Sequence, residues 1–247
     1  MIHIRSAGEI QKILKACQIV KETLDVIQEL VIPGITPLEL DAEAEKFIRS
    51  KGAEPGFKGL YGYPATLCTS VDDEVVHGLP NDKILEEGQI VGIDVGSIYE
   101  DYYGDHAKTF SVGPINAEKK KLMNITEECL YKGIEEAKIG NTIGDIGYSI
   151  QNHAESHGFS IVRELVGHGI GRKLHEEPQV PNFGIRGNGV SIKPGMCLAI
   201  EPMINMGSYE VYTKEDNWTV CTKDGKPSAH FEHSIAITEN GIKILSK

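Results

Sequence analysis

Two aspartates, Asp94 and Asp105, sit in the stretch Ile93–His106 at positions where a charged carboxylate is costly. Asp94 follows the apolar run Ile90-Val-Gly-Ile93, which reads as a buried strand, and Asp105 opens a second run, His106–Val112. A polar turn around Glu100 and Asp101 separates the runs, so the stretch reads as a β-hairpin. With the hairpin centred between Tyr99 and Glu100, the two acids face each other directly, with Cβ atoms about 4.5–5.5 Å apart. Two carboxylates that close repel unless a proton or a cation lies between them. Taken singly, either acid would serve as well as a turn cap. A one-residue slip would also send them to opposite faces. The pair therefore needs support from elsewhere in the chain.

That support comes from an internal repeat. Gly34, Thr36, Glu39, Leu40 and Gly52 recur at one constant offset as Gly140, Thr142, Asp145, Ile146 and Gly158. Glu87–Val95 (EGQIVGIDV) matches Pro194–Pro202 (PGMCLAIEP) at an offset one residue longer, which sets Asp94 against Glu201. Asp105 finds its counterpart in Glu232, which precedes the run His233-Ser-Ile-Ala-Ile-Thr238. Four acids then meet where two related halves join, a common location for a site. His168 adds a nitrogen, and its neighbours Gly167, Gly169 and Gly171 allow backbone to approach a crowded centre. Two Asp, two Glu and one His form a hard, oxygen-rich set that suits paired divalent ions such as Mn, Fe or Co better than a structural zinc. Paired cations about 3.5–4 Å apart polarise a carbonyl and acidify water, so hydrolysis is the reaction class favoured.

The elements that must position these side chains are legible in the punctuation. Ser6-Ala-Gly-Glu9 is a capping box, followed by Ile10, Ile13, Leu14, Cys17, Val20, Leu24 and Ile27 at helical spacing and stopped by Pro33-Gly34. Thr36-Pro37 opens a second helix that ends at Gly52. A glycine- and aromatic-rich loop, Phe57–Cys68, leads into Thr69–Gly78, which carries His77. A long helix starts at Ala117 and stops near Gly140, and Thr142-Ile-Gly-Asp145 opens another that closes at Gly158. His153 and His157, four apart on that helix, lack the HExxH order of a zinc protease and read as solvated. Lys119–Lys121 read as a solvated helix start.

Composition narrows the function classes. With 40% apolar residues the chain can bury a sizeable core, and a net charge of −11 argues against a general nucleic-acid binder while leaving room for a local basic patch; no specific DNA partner is expected. No apolar run reaches membrane-spanning length. Five scattered cysteines, Cys17, Cys68, Cys129, Cys197 and Cys221, suit reduced thiols in a cytoplasmic protein. The expected organisation is one catalytic domain over residues 1–247, with halves of 1–113 and 114–247, acting as a monomer.

Asp94, Asp105, His168 in GHGIG, Glu201 in IEPM and Glu232 in FEH together resemble the metal-ligand signature of type I methionine aminopeptidases. The resemblance runs from the first helix to the final strand. It implies an α+β pita-bread fold around a central antiparallel sheet. It also implies two divalent metal ions, with Co, Mn, Fe and Zn as candidates, and removal of initiator methionine from nascent chains and peptides when the second residue is small. By position, Asp105 and Glu232 would bridge the metals, Asp94 would hold one, and His168 and Glu201 the other. Glu201 would be the acid–base group, His77 would bond the scissile amide, and His175 would stabilise the oxyanion. Tyr63, Cys68, Leu174 and Trp218 would form the methionine pocket. Departures from the family pattern are Phe57 and Leu60 in place of Cys and Tyr, His106 in place of Ser or Thr, and His230 in place of Gln. The resemblance also suggests action beside the ribosome, with Lys214, Lys223 and Lys226 as an rRNA-facing patch. An Xaa-Pro peptidase of the same fold and a metal-free binding module are the alternatives.

Overall fold

The computed structural model describes residues 1–247. Four helices, α1 (Ala7–Leu30), α2 (Pro37–Ser50), α3 (Ala117–Glu136) and α4 (Ile143–Ser156), pack outside short, mainly antiparallel strands. In α1 and α2 the capping serine or threonine accepts from the Glu9 or Glu39 N–H, and the glutamate carboxylate accepts in return from the cap N–H. In α4, Asp145 accepts from the Thr142 N–H at 2.8 Å.

The repeat is visible in the backbone. Helices α2 and α4 have 14 residues each. Gly34 and Gly140 precede them at φ 101° and 97°, and Gly52 and Gly158 follow at φ 72° and 83°. These are left-handed positions that glycine adopts without a Cβ penalty. One apolar core packs α1 and α2 on the first-half sheet, and a second packs α3 and α4 on the other. At Gly104 an added Cβ would lie 2.4 Å from Ala16 C and Cys17 N, so α1 crosses the hairpin at backbone contact.

The hairpin, Ile90–Tyr99 with Tyr102–Ser111, corrects the expected register. Glu100 and Asp101 form a two-residue turn with φ of 47° and 65°, which closes on a Tyr99–Tyr102 pair. Asp94 therefore faces Ala107, and Asp105 faces Gly96. The two acids are diagonal rather than directly opposed. Because the shift is an even number of residues, they still share a face.

In the second half, Cys197–Ile200 is flanked by His233–Thr238 and by Gly167–Gly169 in a five-stranded sheet. His233 pairs with Ile200, so the next step of that register sets Glu201 opposite Glu232. His168 pairs with Ala199, two residues before Glu201, and so faces the same way. The halves are tied across the centre. Glu232 N–H donates to Ala107 O at 2.9 Å, and Ser234 Oγ donates to Asp105 O at 2.9 Å. All five cysteines are free and buried, and no helix is long and apolar enough to cross a membrane.

Candidate metal centre and substrate cleft

The four acids and His168 converge where the halves meet. Asp94, Asp105 and Glu232 each bring a ligand atom within 4.8 Å of the others. His168 Nε2 lies 3.7 Å from Asp105 Oδ2 and 3.4 Å from Glu201 Oε1. His168 Nδ1 donates to Gly169 O at 2.9 Å, which leaves Nε2 as a lone pair aimed at the acids. The flanking glycines are required by space. A Cβ at Gly167 would lie 2.4 Å from Ala199 O, and one at Gly169 would lie 2.4 Å from Glu177 O.

A cation fits this cluster. Asp94 Oδ1, Asp105 Oδ1 and Glu232 Oε1 are buried without a hydrogen-bond partner, a costly state for a carboxylate. Burial raises Asp94 to about 7 and Glu201 to about 8. Burial and then the neighbouring carboxylates push Asp105 and Glu232 well above the usual carboxylate range. Without a cation these groups must take up protons. Burial lowers His168 to about 3, which keeps it neutral and ligand-competent.

The cluster floors a cleft enclosing about 600 Å³, its open mouth included. His77 and His175 line it beside the acids. His77 adopts φ 58°, held by Gly78, where a Cβ would meet Thr69 O at 2.2 Å. The His175 ring stands edge-on to His168 at 4.5 Å. Burial lowers His77 to about 4 and lowers His175 as well, so both present neutral imidazoles. Tyr63, Cys68, Leu174 and Trp218 form an apolar wall, with Trp218 edge-on to Tyr63 at 5.1 Å. Asp216 accepts from the backbone N–H groups of Trp218 and Thr219 at 2.8 Å, which fixes the turn carrying the indole.

Every site residue singled out from the sequence thus borders one cleft. Sequence reasoning missed Tyr61, which is 75% exposed at the mouth and stacks on His175 at 6.1 Å. The flanking Gly59 and Gly62, both at positive φ, were the available signal. His153 bonds Glu128 at 2.7 Å, away from the cleft. The reading of Lys119–Lys121 as solvated holds for the exposed Lys120 and Lys121 and is corrected for Lys119. Lys119 Nζ is part-buried and bonds Asp72 Oδ1 at 2.6 Å and Gly88 O at 2.8 Å, and Lys121 reaches His157 O at 3.0 Å. Lys214 and Lys223 carry partners too, Glu74 at 2.6 Å and Glu210 at 3.2 Å, so the lysine patch is partly neutralised.

Residues 11–239 match the model of metallopeptidase family M24. A methionine aminopeptidase of Clostridium perfringens is 53% identical, with 100% of this chain and 99% of that protein aligned. Methionine aminopeptidase 1 of Bacillus subtilis is 48% identical, with both chains covered in full. The chain belongs to metallopeptidase family M24. The crystal structure of a methionine aminopeptidase from Thermotoga maritima superposes with a TM-score of 0.98 at 45% identity, covering 100% of both chains. The prolidase of Pyrococcus horikoshii superposes at 0.81 with 27% identity, but this chain covers 63% of it. The pita-bread fold expected from the sequence is thereby confirmed. As an M24 member the protein is a hydrolase whose family uses divalent metal, in keeping with the unpartnered oxygens of its centre.

Proposed function

We propose that the protein hydrolyses the N-terminal methionine from peptides and nascent chains when the second residue is small. The observation that carries this reading is a five-donor cluster with unpartnered buried oxygens at the foot of a cleft that has an apolar wall on one side. Residues 1–247 act as one catalytic unit, since each half contributes two of the acids. Two divalent ions would be held here, with Asp105 and Glu232 serving both, Asp94 one, and His168 with Glu201 the other. Bound there, divalent cations polarise the scissile carbonyl and make water nucleophilic near neutral pH. Cobalt, manganese, iron and zinc are the ions to test.

The remaining work falls to this chain's side chains. Glu201, beside His168 at the edge of the cluster, takes the proton of the attacking water and passes it to the leaving amine. His175 donates to the developing oxyanion, and His77 bonds the scissile amide; desolvation lowers the pKa of both, and a neutral imidazole still offers one N–H to donate. The methionine thioether lies against Tyr63 and Trp218, with Leu174 and Cys68 closing the pocket; sulfur–aromatic contact is favourable. Burial pushes the Cys68 thiol well up, so it stays uncharged beside an apolar side chain.

The test is residue release from Met-Ala-Ser and Ala-Pro-Ala after metal is stripped and then restored. Methionine release that returns with metal is the expected result. Cleavage of Ala-Pro-Ala alone would reassign the protein as an Xaa-Pro peptidase, and cleavage of neither would reduce it to a metal-binding module.

A further inference from the structure

One buried nitrogen beside the centre has no role in the assignments above. His230 ends the Ser228–His230 strand, pairs with Met203 and is 3% exposed. Its backbone is pinned to the opposite half. Thr109 Oγ1 donates to His230 O at 2.8 Å, and His230 N–H lies 2.9 Å from the same hydroxyl oxygen. Its ring Nε2 is buried without a hydrogen-bond partner, 3.6 Å from Glu201 Oε2. The other oxygen, Oε1, is the one 3.4 Å from His168. The Glu201 carboxylate therefore stands between two imidazoles, one per oxygen.

The two rings differ in where a proton can sit. His168 Nδ1 donates to Gly169 O, the outer bond that marks a ligating histidine. His230 has no such acceptor at Nδ1, and the carboxylate beside its Nε2 is the acceptor within reach. We propose that His230 is a positioning residue that donates Nε2–H to Glu201 Oε2 and thereby holds Oε1 toward His168 and the metal. The 3.6 Å separation exceeds a charge-assisted bond by several tenths of an ångström, a gap that a small side-chain shift closes once Oε1 is engaged. Holding one oxygen back matters because Glu201 is asked both to bind metal and to move a proton, and a carboxylate free to flip does neither consistently.

The proposal rests on the metal-centre reading, which metal uptake and methionine release by the unaltered protein test separately. Two variants test His230 itself: His230→Gln keeps an N–H donor, and His230→Leu removes it. With cobalt loaded, His230→Leu loses about 10–100-fold in kcat on Met-Ala-Ser. KM stays within about two-fold, the pattern of an interaction made in the transition state. His230→Gln recovers most of kcat. The cobalt absorption bands keep their positions in both variants, because the ligands are unchanged. Wild-type kcat in His230→Leu overturns the proposal, and so does a band shift reporting a lost nitrogen ligand. Should the leucine variant fail to fold, nitrogen NMR of the zinc-loaded protein decides: a proton on His230 Nε2 supports the proposal, and a proton on Nδ1 overturns it.

Discussion

His175 gives a sharp single-residue test because it is an exposed residue of the cleft wall rather than one of the buried acids. Its ring is edge-on to His168 and faces the cleft, and partial desolvation there lowers its pKa. His175→Ala should lower kcat on Met-Ala-Ser by about 10²–10³, the loss seen when one oxyanion donor is removed. Bound metal, measured by elemental analysis, should be unchanged. A loss of metal would instead make His175 part of the ligand shell. At this scale the donors were legible as a set rather than singly: either aspartate alone could cap a turn, and the repeat that pairs Asp94 with Glu201 and Asp105 with Glu232 drew them together. The partners of Lys119 and Lys121 were not legible. Asp72, Gly88 and His157 are remote in sequence, and nothing local marks a lysine as tied down.

At the scale of elements, glycine placement sets how closely the strand carrying His168 can approach its neighbours. Gly169→Ala forces a Cβ to within 2.4 Å of Glu177 O, a backbone atom that cannot rotate away. Relief of that overlap should cost about 1–3 kcal/mol. It should also displace His168 and weaken cobalt binding. Gly8→Ala, inside α1 with nothing within 4 Å, should instead stabilise by about 0.4–1 kcal/mol. Paired thermal melts check both directions. The helices and the repeat were readable because capping residues and left-handed glycines act locally. The hairpin register was misjudged by two residues along the partner strand, because turn type decides it. The tight Glu100-Asp101 turn needs φ > 0 at two residues that are not glycine. Even so the shared face survived, since the period of a strand is two.

For the whole molecule, the buried acids make metal and proton competing ligands of one site. Each raised carboxyl is neutral in the folded protein at pH values where its unfolded counterpart is charged. The stability that protonation of these acids lends the metal-free fold is therefore fully present below their unfolded pKa values. It is lost as pH rises from about 4 through the folded values of about 7 for Asp94 and about 8 for Glu201, whereas the lowered His77 and His168 act in the opposite sense below about pH 6.5. The Tm of metal-free protein should fall on the order of 5 °C or more between about pH 6.5 and pH 8, where the buried histidines are neutral folded and unfolded alike. Added metal should raise Tm more at pH 8 than at pH 5, because binding favours the folded state and needs the acids deprotonated. Equal metal-induced shifts at both pH values would contradict the linkage. Neither half alone holds the donors, so the repeat legible in the sequence is also why the site sits at the seam. The roles of His77 and His175 and the shape of the pocket were not legible from spacing, because loops distant in sequence build them.

The most direct measurement titrates metal-stripped protein with cobalt and follows bound ion and methionine release from Met-Ala-Ser in the same samples. The account predicts release that is absent without metal, rises with occupancy and saturates with both sites filled. Full release from metal-free protein, or a filled centre that releases no methionine, would contradict it.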